Sequence, residues 1–155
     1  MTDLTDLLAA DGVEAALHVT SKKGLFQQLA TAAGRLTGID PKIILTAISD
    51  REKSGSTGFG AGVAIPHGKI GGIGHITGYF ARLATPLQYQ AVDHMPVDLV
   101  FLMLSPPDAG AEHLKALARV SRALRDNQIR AKLRGARSKD ALYAVLTGGE
   151  TRDAA

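Results

Sequence analysis

Cysteine is absent from this chain, which removes disulfides, thiolate zinc sites and cysteine nucleophiles together. Any chemistry has to come from His, Asp, Glu, Ser, Thr or Lys. Long hydrophobic runs are missing as well. No stretch approaches the ~20 continuous apolar residues that cross a bilayer, and the opening MTDLTDLLAA is acidic where a secretory signal is basic. A cytoplasmic location without membrane insertion is expected. Proline is scarce, six in 155 residues, and there is no linker, repeat or low-complexity block. With 45% hydrophobic residues the chain suits a single domain, 1–155, built on one core. Its ordered part is expected to span about residues 3–147, with the tail GGETRDAA frayed.

Net charge is only +3, yet the last third is basic from Lys115 to Lys139. That third contains one aromatic, Tyr143, and no nucleic-acid recognition motif, so no nucleic-acid partner is expected. The basic residues read as solvated helix faces, compatible with docking an acidic protein.

Val13, Ala15, Leu17 and Val19 alternate with Glu14, Ala16 and His18, which predicts a short strand with His18 on its polar face. Ser21 offers a helix cap, and Leu25, Leu29, Ala32, Ala33 and Leu36 recur at helical spacing until Gly38. Asp40 and Pro41 start a second helix, whose buried stripe is expected to be Ile43, Ile44, Ala47 and Ile48. The stretch REKSGSTGFGAG is too glycine-rich for helix or strand and predicts a surface loop leading into Val63, Ala64 and Ile65. HITGYFARLA and VDLVFLML are strands, the second a central one covered on both faces and ended by Ser105, Pro106 and Pro107. From Ala111 onward, Leu114, Leu117, Ala118, Ser121 and Leu124 mark an amphipathic helix, and two shorter helical segments, 129–133 and 138–146, follow. Interleaved strands and helices predict an α/β sandwich. The strands near residues 63, 76 and 97 follow too closely for helical crossovers, so the sheet is expected to be mixed.

The segment GVAIPHGK poses the functional question. Pro66 lacks a backbone donor, which predicts that the strand stops there and presents His67, exposed, at a sheet margin. A phosphate-binding P-loop is excluded by spacing: five residues separate Gly62 from Gly68 where that loop has four, and Ile70 stands where Ser or Thr is needed. GSTGFGAG precedes a strand instead of opening a helix, which excludes the dinucleotide fingerprint. The five histidines, His18, His67, His75, His94 and His113, include no HxxxH or HxH pair, and no metal is expected. His18 and His75 read as scattered surface or structural residues.

His113 falls in the first turn of the helix after PPDAGAE, where free backbone N–H groups favour an anion. It also shares a stripe with Leu117, Val120 and Leu124, so the edge of the core is equally open to it. His67 follows a Gly-Ser-Thr loop whose hydroxyls and N–H groups are the parts of an anion nest, with Arg51 and Lys69 able to add charge. These parts suit a neutral imidazole that attacks phosphorus and becomes a phosphohistidine.

REKSGSTGFGAGVAIPHGK together with AVDHMPVDLVFLMLSPPDAGAEHLKALARVSRALRD resembles the IIA proteins of the bacterial phosphotransferase system, in their fructose, mannitol and nitrogen-regulatory branch. The resemblance runs from LTDLL to ALYAVL. It implies a mixed five-stranded sheet sandwiched between helices (α/β/α) and no metal or organic cofactor. It implies that His67 is phosphorylated, at its tele nitrogen, by a phosphohistidine on an HPr-like carrier. By the same resemblance Arg51 is the active-site arginine, His113 is the second active-site histidine, and Ser56 and Thr57 border the phosphate. His94 departs from the glycine that many relatives carry, and reads as a turn residue of positive φ.

No IIB, IIC or HPr-like segment is seen, and DAGAEHLKALARVSR looks most like the nitrogen-regulatory member. That member is taken to report its phosphorylation state to partners such as potassium-transport and sensor-kinase proteins. Two alternatives stay open: a free-standing sugar-type IIA that hands its phosphoryl group to a IIB protein, and a binding module whose histidine is never modified.

Overall fold

The computed structural model describes residues 2–149; of the tail GGETRDAA expected to fray, Gly148 closes the last helix in the left-handed conformation, and residues 150–155 lie outside the described residues. Six strands and five helices form among these residues, in the order β1 (Val13–Leu17), α1 (Lys22–Thr37), α2 (Pro41–Lys53), β2 (Gly58–Gly60), β3 (Val63–Ala64), β4 (His67–Lys69), β5 (Thr77–Leu87), β6 (Val97–Ser105), α3 (Ala111–Arg125), α4 (Asn127–Gly135) and α5 (Lys139–Thr147). The helix boundaries follow local chemistry. Ser21 Oγ accepts from the Gly24 N–H at the start of α1, and Gly38 closes that helix at φ 76°. Asp40 caps α2 ahead of Pro41, and Ser138 caps α5.

The sheet runs β1-β5-β6-β3-β2, with β4 also paired to β6. β3 and β4 lie one after the other along the same edge of β6, both parallel to it, so the six strands fill the five positions expected. β5 is antiparallel to β6, β2 is antiparallel to β3, and β1 is parallel to β5, which makes the sheet mixed. Alternation along β6 divides the core in two. Val100, Leu102 and Leu104 face α1 and α2, packing with Leu25, Leu29, Ile44 and Ile48. Leu99, Phe101 and Met103 face the other layer, with Val120, Leu124, Leu133 and Leu142. The α/β/α architecture follows from that double burial.

Four expectations need correction. Pro66 does not end the strand at a margin: it interrupts one edge between β3 and β4, its own carbonyl accepting from the Met103 N–H, and His67 resumes the pairing opposite Met103. His67 is consequently buried, not exposed. The glycine-rich loop is shorter than its composition suggests, because α2 continues through Arg51, Glu52 and Lys53 and Gly58–Gly60 pairs with β3. In the helices, Ile43 and Leu114 face outward, at 54% and 66% exposure, since Ile44 and His113 hold the inward positions beside them. Among the described residues no helix is long and apolar enough to cross a membrane.

The basic residues of the last third are spread over separate local contacts. Arg119 pairs with Asp6, Arg134 with Asp98 and Lys115 with Glu112, while Arg125 lies over the Phe59 ring. They form solvated faces, as their composition predicts, and in addition tie the helices to Asp6, Asp98 and Phe59.

Candidate functional site

Register along β4 sorts the PHGK side chains. His67 pairs with Met103 and Lys69 with Ser105, so these residues lie on the α3 side of the sheet, where Met103 packs. Gly68 lies on the opposite side against α2. A Cβ on Gly68 would stand 3.2 Å from the Ala47 Cβ and 3.3 Å from the Ala47 backbone. Glycine lets α2 approach this closely without crowding, and that approach brings the last turn of α2, with Arg51 and Glu52, over the start of β4.

The His67 and His113 rings meet with centroids 5.6 Å apart, tilted by 52°. Residues far apart in sequence, one on β4 and one in the first turn of α3, thus share one site. His113 is buried on the same stripe as Val120 and Leu124, the core-edge position the sequence allowed, and its ring faces His67.

His67 Nδ1 lies 2.8 Å from the Ile65 carbonyl oxygen. A carbonyl only accepts, so Nδ1 carries the hydrogen and Nε2 keeps its lone pair. Burial holds the His67 pKa below the ordinary histidine range; the Ile65 carbonyl and Glu52 pull upward, and the Arg51 charge pushes down with burial. The same cause, burial, lowers His113, helped by His67 and Lys69. Both rings are therefore biased towards the neutral form. A neutral imidazole with a free Nε2 is a nucleophile, and a guanidinium and a second imidazole beside it are donors for an anion.

Arg51 is half-buried in the last turn of α2, with one of its nitrogens donating to the Gly55 carbonyl at 3.0 Å. Ser56 Oγ accepts from the Gly58 N–H and shapes the loop. Thr57 is turned inward: its N–H donates to Glu52 Oε2 at 2.9 Å, and its hydroxyl lies 2.5 Å from Glu52 Oε1 and 2.8 Å from the Tyr89 hydroxyl. The Ser54 and Gly55 N–H groups bond back to α2 carbonyls. Much of the loop's donor capacity is thus spent on its own shape, which leaves less of an anion nest than its composition promised.

Glu52 and Tyr89 carry no functional reading in the sequence, and Ser105 only that of a strand end. Lys22 reaches Glu52 at 2.9 Å and also sits 4.1 Å from the centre of the Tyr89 ring. Burial alone would raise the Glu52 pKa, but the Thr57 and Lys22 hydrogen bonds overcome it and hold the carboxyl below its ordinary range. This ion pair joins α1, α2, the loop and the segment after β5 beneath Arg51. Only the adjacency of Glu52 to Arg51 in sequence signalled it; Tyr89 carried no local sign. Ser105 Oγ lies 2.6 Å from His113 Nδ1.

His94 is exposed at φ 62°, the left-handed turn conformation expected of it. His18 and His75 are exposed and away from the site. Among the described residues no group of three His, Asp or Glu side chains is placed to hold a metal ion.

Comparison with known proteins agrees with this fold. Residues 6–148 match the family model described as phosphoenolpyruvate-dependent sugar phosphotransferase system, EIIA 2. A nitrogen regulatory protein of Bradyrhizobium diazoefficiens is 50% identical over 143 residues, covering 92% of this chain and 94% of that protein. A nitrogen regulatory protein of Escherichia coli is 37% identical over 148 residues, covering 95% and 91% respectively. The crystal structure of nitrogen regulatory protein IIA-Ntr from Neisseria meningitidis superposes with a TM-score of 0.87 at 34% identity, over 92% of this chain and 97% of that one.

Proposed function

Because the chain belongs to the phosphoenolpyruvate-dependent sugar phosphotransferase system EIIA 2 family, we propose that it is a cytoplasmic phosphocarrier and regulator of the nitrogen-related branch, phosphorylated on His67. The observation that carries this is the bond from His67 Nδ1 to the Ile65 carbonyl, which leaves Nε2 as the one nucleophilic atom of that ring. The Nε2 lone pair attacks phosphorus of a phosphohistidine on an HPr-like carrier. The new N–P bond forms as the old one breaks, and the electron pair returns to the carrier's imidazole. Arg51 and His113 bear the charge of the moving group, which remains spread over its equatorial oxygens.

Output follows from the charge that arrives. Phosphorylation adds about −1.5 to −2 charges at the mouth of the site. A regulatory target that docks there, such as a potassium-transport or sensor-kinase protein, has to desolvate that charge or face it with its own, and loses affinity. Half-exposed Arg51 and outward-facing Leu114 beside His113 supply a polar and an apolar element for such docking. The family description names a sugar system, which favours as second reading a IIA that passes the phosphoryl group to a IIB protein. Incubation with a phosphorylated nitrogen-branch carrier, followed by intact-mass measurement, tests the phosphocarrier role. A chain that gains no phosphoryl mass is a plain binding module. Transfer onward to a sugar IIB at a comparable rate would move the assignment to the sugar branch.

A further inference from the structure

His67 and His113 are each held at Nδ1, but by opposite kinds of partner. The Ile65 carbonyl accepts and imposes the Nδ1–H tautomer on His67. At His113 the partner is a hydroxyl, Ser105 Oγ, which donates or accepts according to how it turns. Ser105 is 0% exposed, and among the described residues His113 Nδ1 is the one hydrogen-bond partner of its Oγ. If Nδ1 held a hydrogen and donated, the buried Ser105 O–H would lose its acceptor, which is costly. Donation from Ser105 satisfies both groups at once.

We infer that Ser105 is a positioning residue for phosphoryl transfer, which rests on His67 being the acceptor: by donating to Nδ1 it holds neutral His113 in the Nε2–H tautomer. The two imidazoles then carry opposite tautomers. His67 offers a lone pair at Nε2 to phosphorus, and His113 offers an N–H at Nε2 to phosphoryl oxygens. The other tautomer of His113 would set a lone pair against an anion. Position follows from register, because Ser105 lies opposite Lys69 and two residues beyond the partner of His67, on the same side of the sheet under α3. The strand that seats the nucleophile's neighbour therefore also orients the donor, in the way a third group orients the base of a catalytic pair.

The test begins on the bare protein, by long-range ¹⁵N–¹H correlation of the imidazoles at pH 7.5. The expected result is the Nδ1–H tautomer for His67 and the Nε2–H tautomer for His113. In Ser105→Ala the His113 signals should move to those of a tautomer mixture with His67 unchanged, and the rate of transfer from a phosphorylated carrier should fall about tenfold. Ser105→Thr, which keeps the hydroxyl, should restore both. An Nδ1–H tautomer at His113 in the unaltered protein overturns the inference, as does a Ser105→Ala protein with unchanged His113 signals and normal transfer. A wild-type protein that takes no label on His67 instead defeats the acceptor assignment, and the tautomer readout separates the two failures.

Discussion

Gly68 on β4 and Ala47 on α2 are in such close contact that a single added Cβ would stand 3.2 Å from the Ala47 Cβ and 3.3 Å from its backbone. Main-chain atoms of Ala47 are crowded almost as closely as its Cβ, and main chain yields poorly. Gly68→Ala should destabilise the fold by about 1–3 kcal/mol through overpacking and slow phosphoryl transfer by lifting Arg51 away from His67. Urea denaturation and a single-turnover transfer assay measure the two effects. Unchanged values in both would mean that α2 has more room than the contact implies.

His67→Ala should abolish phosphorylation, and in the unaltered protein the phosphoryl group should reside on Nε2, because Nδ1 is committed to the Ile65 carbonyl. Phosphorus-coupled ¹⁵N spectra distinguish the two nitrogens. The label should be lost in mild acid, as phosphoramidates are. Label on Nδ1, on Ser56 or on His113 would contradict the assignment.

Arg51→Ala and His113→Ala should each remain folded and phosphorylatable but transfer on the order of a hundredfold more slowly, since loss of one preorganised donor commonly costs about 2.7–4 kcal/mol of transition-state stabilisation. Rapid-quench kinetics with a phosphorylated carrier gives the rates directly. A variant that transfers at the normal speed removes that residue from the mechanism.

Thr57→Val keeps the shape of the side chain and deletes the hydroxyl that links Glu52 to Tyr89. Buried partners are then left short of a bond, for an expected loss of about 1–3 kcal/mol. Equilibrium unfolding in urea checks it. No loss of stability would show that the network bears little on the fold.

Stability should also decline in mild acid. Burial holds His67 and His113 below the ordinary histidine pKa in the folded protein, which is about 6.5 in the unfolded chain. Across that window the unfolded state binds more protons, so unfolding gains ground as pH falls. The stability these residues contribute is complete above the unfolded value and is lost as pH drops through their folded values. Urea midpoints between pH 8 and 5 should fall less steeply for a His67→Gln, His113→Gln double variant than for the unaltered protein. Identical slopes would place the acid sensitivity elsewhere.

Local chemistry was legible in the chain. Ser21, Gly38, Asp40 with Pro41, and Ser138 mark helix ends because caps act over three or four residues. The alternation and continuous apolar run of VDLVFLML predicted a central strand, because a side-chain period of two is a property of the strand alone. His94 read correctly as a turn residue, for which a positive φ is a local demand. His67, Arg51 and His113 could be chosen from their residue types, their loop context and a family resemblance, and they gather at one place.

Burial and partnership belong to the tertiary structure. The sequence placed Pro66 at a strand end and His67 in solvent, but pairing with β6 continues past the proline and α2 settles onto Gly68, so the histidine is enclosed. Thr57 looked like a phosphate donor by its loop and is drawn inward by Glu52 and Tyr89. Ser105 looked like the end of a strand and is the partner of His113. Residue type and spacing determine helix, strand and turn because those are settled by neighbours along the chain. Which nitrogen is free, which hydroxyl is spent and which imidazole is dry are settled by atoms that only sheet register and helix packing bring together.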